Sequence, residues 1–241
     1  MHEHGVRPAR PHHRLTEDGR RMREVLSYSR RGARFTPNQA AAWAAHQEKW
    51  VIPDEAVDRP DFAWASWFGR EAPLIVEIGS GVGEATAVLA AARPSYDVLA
   101  LEVWRPGVAD TLWRAAEAGA ENLRLCSVDA AWTLQHLLGE ASISELWTFF
   151  PDPWHKKKHR KRRLVDADFA RLVSTRLVPG GTWRLATDWA DYADQMREVL
   201  DAEPALEGGV VERWSERPVT KFERKGLEVG RDITDLRYVR R

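Results

Sequence analysis

Three features of this 241-residue chain predict an α/β fold built on a doubly wound, mostly parallel sheet. From Leu74 onward, short apolar runs alternate with stretches of helical periodicity, the pattern of successive strand-helix-strand units. A glycine-bearing turn, Glu77-Ile-Gly79-Ser-Gly81-Val-Gly83, follows the first run and opens the first helix, so a ligand can approach the backbone closely at a helix N-terminus. Acids recur at the ends of the runs, where a parallel sheet opens its ligand crevice.

The elements follow in order. Residues 1–26 form a basic tail, dominated as far as about Thr16 by His, Arg and Pro with almost nothing apolar, a composition that predicts disorder. Residues 27–70 carry Phe35, Trp43, Trp50, Trp64 and Trp67 and read as an extension packing on the core, with a helix beginning at Thr36-Pro37. Residues 71–241 form the main domain. Its strands are predicted at 74–78, 98–103, 123–128, 145–150 and 183–186, with two more near 210–214 and 236–240. Helices start near Gly83 and span about 107–118, 131–138, 166–177 and 189–202; the fourth is stopped by Pro179-Gly180-Gly181. Residues 215–235 read as a polar loop.

Lys and Arg together number 36 and so do Asp and Glu, so information about partners lies in where the charge falls. The first 35 residues hold nine Arg against four acids, and seven of the ten residues 154–163 are Lys or Arg with no acid among them. Two basic patches on a neutral chain point to a polyanionic partner. Cys126 is the single cysteine, which excludes a disulfide or a thiolate metal site within one chain and suits a reducing compartment. No apolar stretch approaches the roughly 18 residues of a membrane span, and no secretory signal opens the chain. The expectation is a cytoplasmic protein without a membrane partner, its state, monomer or homodimer, left open. His2, His4, His12 and His13 lack fixed geometry, and the Lys and Arg around His155 and His159 would repel a cation, so no metal is expected.

Glu77, two residues before the first glycine, would repel a pyrophosphate but suits a ligand carrying an ammonium and a sulfonium. That favours S-adenosylmethionine over a dinucleotide. Glu102, 23 residues after Gly79, is placed for ribose hydroxyls, and Asp129 for the exocyclic amine of adenine. Asp152 stands at the end of strand four between Pro151 and Pro153, next to the basic run that can grip phosphates. Asp188 ends strand five and Glu223 lies in the late loop; carboxylates there suit the N1 and N2 hydrogens of guanine.

These residues resemble one family closely. Glu77-Ile-Gly-Ser-Gly-Val-Gly, Glu102-Val-Trp, Asp129-Ala, Phe150-Pro-Asp-Pro-Trp-His-Lys-Lys-Lys-His-Arg-Lys-Arg-Arg-Leu164, Ala186-Thr-Asp188 and Thr220-Lys-Phe-Glu223 look like the ordered motifs of bacterial tRNA (guanine-46-N7)-methyltransferases. The resemblance runs from about Arg30 to the C-terminus and departs from the family in the Arg- and His-rich N-terminus. It implies the class I S-adenosylmethionine-dependent fold and methyl transfer to N7 of guanine 46 in the tRNA variable loop. It implies that Glu77, Glu102, Asp129 and Asp152 contact the cofactor along the loop of Gly79 and Gly81, with Asp152 also catalytic. Lys156, Asp188, Thr220, Lys221, Phe222 and Glu223 would bind the tRNA substrate, and Lys158, His159, Arg160, Lys161, Arg162 and Arg163 would meet the RNA backbone. Two rivals stay open: methylation of an exocyclic base amine, because Asp152-Pro153-Trp154 partly resembles the Asp-Pro-Pro-Tyr motif, and a catalytically silent RNA-binding protein.

Overall fold

A computed structural model describes residue 10, residues 26–28 and residues 32–241 of the chain. The four N-terminal histidines and most of the tail expected to be disordered lie outside these residues; within that tail Arg10 and Leu26 are buried, and Arg10 pairs with Asp58 at 2.9 Å. Seven strands form one sheet in the order β3-β2-β1-β4-β5-β7-β6. β1 (Leu74–Ile78), β2 (Asp97–Leu101), β3 (Leu123–Cys126), β4 (Ile143–Phe149) and β5 (Leu177–Thr187) run parallel, and β7 (Thr234–Arg240) and β6 (Leu206–Val211) extend the edge antiparallel. Chain order reverses between β1 and β4, which opens a crevice at their carboxyl ends.

The parallel strands are largely apolar because helices cover both faces. Ile75, Val98, Leu123 and Trp147 pack under α4 (Glu84–Ala91) and α5 (Arg105–Ala118). Val76, Leu99, Leu146 and Trp183 face α6 (Ala130–His136), α7 (Ala167–Arg176) and α8 (Ala190–Asp201). Trp183 is fully buried and its indole N–H donates to Thr148 Oγ1 at 3.0 Å, which satisfies the one polar atom of a large apolar ring.

The N-terminal extension is ordered in its described part. α1 (Pro37–Trp50) starts at a capping box between Thr36 and Gln39. It ends with Trp50 donating to Ala120 O at 2.9 Å, and Ile52 N–H then bonds Leu125 O alongside β3. Two short helices, α2 (Asp54–Val57) and α3 (Ala65–Phe68), follow where no periodicity announced them.

Three predicted elements need correction. β5 begins at Leu177, six residues early, because the chain resumes pairing with β4 across an irregularity around Pro179-Gly180-Gly181. β6 lies at Leu206–Val211 and not at 210–214. The loop read at 215–235 contains α9 (Lys221–Glu228), whose buried residues are Glu223 and Gly226, so no apolar stripe revealed it. No described helix is long and apolar enough to cross a membrane.

The turn after β1 is pinned from behind by α5. A Cβ on Gly107 would stand 2.2 Å from the carbonyl oxygen of Gly81 and 2.8 Å from the Trp104 ring. Gly107→Ala is therefore expected to destabilise the chain by about 1–3 kcal/mol, since backbone must shift to admit one methyl group. Urea unfolding of the variant beside wild type checks this, and an unchanged midpoint would contradict the contact.

Candidate functional site

The carboxyl ends of β1 to β4 open into one pocket, which Glu77, Glu102, Asp129 and Asp152 all line. Gly79 and Gly81 have φ of 76° and 60°, left-handed values that glycine adopts without strain. They turn the chain so that Gly81 N–H donates to Glu102 Oε2 at 2.8 Å. Glu102 Oε1 accepts from Trp104 N–H at 2.7 Å, so this carboxylate ties the glycine turn to the end of β2 while facing the pocket. Asp129 caps α6 by accepting from Trp132 N–H at 2.9 Å.

Glu77 is buried, and its Oε2 has no hydrogen-bond partner among the described residues. Burial pushes its pKa up to about 7, against the lowering effect of the Thr86 hydroxyl and with a further push from the Glu102 charge. A cation brought to the pocket would ionise it.

Beyond β4 the backbone is strained. Phe150 and Trp154 have φ of 52° and 44°, a region costly for bulky side chains, and they bracket Pro151-Asp152-Pro153. Phe150 is held by its N–H to Ala186 O at 2.7 Å and by the Arg217 guanidinium 5.3 Å from its ring. The strain turns Asp152 into the pocket mouth.

α9 roofs the cavity. Thr220 caps it, Phe222 lines the pocket, and Glu84 in the first turn of α4 accepts from Lys221 N–H and, at 2.9 Å, from Arg224. Glu223 points the other way. It is fully buried, with Oε2 2.7 Å from Arg217 and Oε1 2.6 Å from Arg213, while Arg217 also pairs with Asp235 at 2.8 Å. The expectation that Glu223 accepts from a base is thereby corrected: its oxygens anchor α9 to the sheet. Asp188 pairs with Arg231 at 2.7 Å outside the pocket and backs Gly226 of the same helix.

The basic run forms a 3-10 helix, Lys157–Arg162, and its members separate by environment. Arg163 is buried, donating to Pro153 O, Asp191 and Gln195, and Arg162 is turned onto residues 26–28. Neither is placed to meet an RNA backbone, which corrects the reading of the run as one uniform grip. Arg160 is half-exposed and pairs with Asp191 at 2.6 Å, and His159 packs edge-on against Trp154. Lys156, Lys157, Lys158 and Lys161 are exposed and make no ion pair among the described residues. Among those residues no group of three or more His, Cys, Asp or Glu could hold a metal. Sequence reasoning missed Ser27, Tyr28, Glu84 and Trp104, which also line the pocket; of these only Trp104 stands in a quoted motif, Glu102-Val-Trp.

A family described as "Putative methyltransferase" matches residues 71–236. A tRNA (guanine-N(7)-)-methyltransferase of a Nocardioides species is 71% identical over all of this chain and 98% of its own length. One from Cutibacterium acnes is 48% identical over 90% of this chain and 84% of its own. The chain belongs to the tRNA (guanine-N(7)-)-methyltransferase family. Among solved structures, a 16S rRNA (adenine(1408)-N(1))-methyltransferase mutant from Catenulisporales acidiphilia, crystallised with its cosubstrate, superposes with a TM-score of 0.50 at 16% identity, covering 73% of this chain and 89% of that one. An antibiotic-related methyltransferase gives 0.51 at 12% identity, covering 78% and 94%. The fold is that of class I methyltransferases.

The buried carboxyl of Glu77 sets a pH dependence. Its folded-state pKa, about 7, lies above its ordinary value of 4.5, so its contribution to stability is full below about pH 4.5 and is lost as pH rises through 7. Glu77→Gln does not titrate. Relative to wild type, it should gain stability steadily from pH 5 to pH 8, approaching roughly 3 kcal/mol. Denaturant unfolding at pH 5, 6.5 and 8 checks this, and a difference independent of pH would contradict it.

Proposed function

We infer that this chain transfers the methyl group of S-adenosylmethionine to N7 of guanine 46 in the variable loop of tRNA. The observation that carries the reading is the convergence of four acids, Glu77, Glu102, Asp129 and Asp152, on one pocket, with the exposed lysines of the basic run following Asp152 in the chain. Relatives matching this chain along nearly its whole length bear the corresponding name.

The donor set suits the cofactor. The unpartnered buried oxygen of Glu77 fits an ammonium group, Glu102 at the end of β2 fits ribose hydroxyls, and Asp129 at the end of β3 fits the adenine amine. S-adenosylmethionine, when bound, supplies a methyl group on a positively charged sulfur. Guanine N7 carries an in-plane lone pair and no proton. The N7–CH3 bond forms as the S–CH3 bond breaks, positive charge moves to the imidazole ring of guanine, and no base is required. Asp152 holds the reacting centre in line and offsets that charge. Thr220 and Phe222 on α9 close the substrate side, with Glu223, Asp188 and Glu84 keeping that helix in place, and Lys156 to Lys158 with Lys161 draw the phosphates down to the rim.

Nuclease digestion and mass spectrometry of tRNA treated with enzyme and cofactor should yield 7-methylguanosine at position 46. A methylated exocyclic amine, or no product, overturns the reading. Asp152→Ala should lower kcat by about 100-fold or more while the fold persists. Replacing Lys157, Lys158 and Lys161 with Ala should weaken tRNA binding and flatten its salt slope by about 0.7–0.9 per lost phosphate contact. Guanine selectivity should survive in that variant. Wild-type turnover in the first variant or a wild-type slope in the second would sink the corresponding assignment.

The cofactor's ammonium needs an ionised Glu77. Affinity for S-adenosylmethionine should therefore rise with pH up to about 7 and then level off, with proton uptake by the buffer on binding near pH 6. Titration calorimetry in buffers of different ionisation enthalpy measures that proton, and Glu77→Gln should abolish it. A flat affinity from pH 5.5 to 8 would remove Glu77 from this role.

A further inference from the structure

Within the basic run, Arg162 is committed elsewhere. Its Nε donates to Leu26 O at 2.7 Å and its Nη2 to Tyr28 O at 3.0 Å. Its guanidinium lies 3.5 Å from the Trp154 ring centroid, and the Trp154 indole N–H donates to the carbonyl between those two, Ser27 O, at 2.8 Å. Three consecutive backbone carbonyls are thus captured by two side chains that stack on each other. A guanidinium used in this way on one face and on two of its donor groups is a poor phosphate grip, because a phosphate would have to displace the contacts it already makes.

What the clasp holds lies at the cofactor pocket. Ser27 and Tyr28 line it with Glu77, Asp129 and Asp152, and Ser27 borders Asp129 on the outer side as well. Leu26 is buried, which fixes the segment at its start. Trp154 can reach Ser27 because its left-handed backbone turns the chain back after Pro153. The strained loop that aims Asp152 inward therefore also presents the residue that seats the strap.

We propose that residues 26–28 form a wall of the S-adenosylmethionine pocket beside Asp129, and that Trp154 and Arg162 are positioning residues that seat this wall. The inference rests on the methyltransferase reading above. Labour within the basic run is then divided, with the exposed lysines meeting RNA phosphates while Arg162 builds the cofactor site.

The test uses the full chain and two readouts, calorimetric affinity for S-adenosylmethionine and the salt slope of tRNA binding. Arg162→Ala should weaken cofactor affinity by about tenfold or more, as expected for a lost charge-assisted hydrogen bond pair, with the tRNA salt slope unchanged. Arg162→Lys should recover only part of the affinity, since an ammonium on a flexible stem cannot serve both carbonyls and stack on the indole. Trp154→Phe keeps the ring but loses the N–H, and Tyr28→Ala removes a pocket-lining side chain; both should weaken the cofactor without altering the salt slope. Arg162→Lys and Trp154→Phe carry the test if Arg162→Ala fails to fold. Wild-type cofactor affinity in both overturns the proposal, as does an Arg162→Ala variant that flattens the salt slope while binding cofactor normally. A wild-type chain that binds no S-adenosylmethionine overturns the methyltransferase reading itself, and is distinguished by that control from a failure of the strap alone.

Discussion

The loop after β4 runs through two aromatic residues in the left-handed region, Phe150 and Trp154, and each is held there by an arginine against its ring. Arg217 lies 5.3 Å from the Phe150 ring and Arg162 lies 3.5 Å from that of Trp154. Such backbone persists only where its surroundings over-determine it, at a cost of order 1–3 kcal/mol per residue. Both arginines are themselves fixed, Arg217 by Glu223 and Asp235 and Arg162 by the carbonyls of Leu26 and Tyr28. The conformation that places Asp152 is therefore tied on one side to α9 and on the other to the N-terminal strap.

That arrangement couples segments far apart in the chain. α9 is anchored inward by Glu223 and outward by Glu84, which sits in the first turn of α4 directly after the glycine turn. The glycine turn is held from below by Gly107 of α5 and from the side by Glu102. A disturbance at any of these points reaches the pocket through one or two contacts. A buried ion-pair cluster such as Arg217 with Glu223 and Asp235 is weak evidence for net stability, but removing one member leaves a charge uncompensated. Its clearer consequence here is the fixed position of Phe150 and α9.

Much of this was legible in the sequence, for identifiable reasons. Strands buried on both faces must be apolar runs, so β1 was read to the residue and β2, β3 and β4 to within two residues of each end. Glu77 stood out as a charge inside such a run, and Glu102 and Asp129 because each comes after one. α9 was hidden because its inward face is a carboxylate and a glycine, which carry no hydrophobic period. Arg162 and Arg163 were hidden because an arginine that reaches solvent and one that folds onto carbonyls or Asp191 have the same letter; only tertiary contacts separate them. Pro151 and Pro153 announced a turn, yet the positive φ at two aromatics is imposed by their partners and not by local preference.

A zero net charge conceals a sorting of charge in space. Two buried arginines pair with acids that do not line the pocket, Arg217 with Glu223 and Asp235 and Arg163 with Asp191, and of the lining acids Glu84 takes the Arg224 charge. The acids that line the pocket thus keep a field favourable to a cationic cosubstrate, strong enough with burial to hold Glu77 near neutrality until a cation arrives. The exposed lysines sit a few residues from Asp152 along the same loop, in water, where they can exchange counterions for phosphates. A methyl donor that is positive and an acceptor polymer that is negative need opposite fields within one site. The interior ion pairs allow this by keeping the arginines between the two regions from neutralising either.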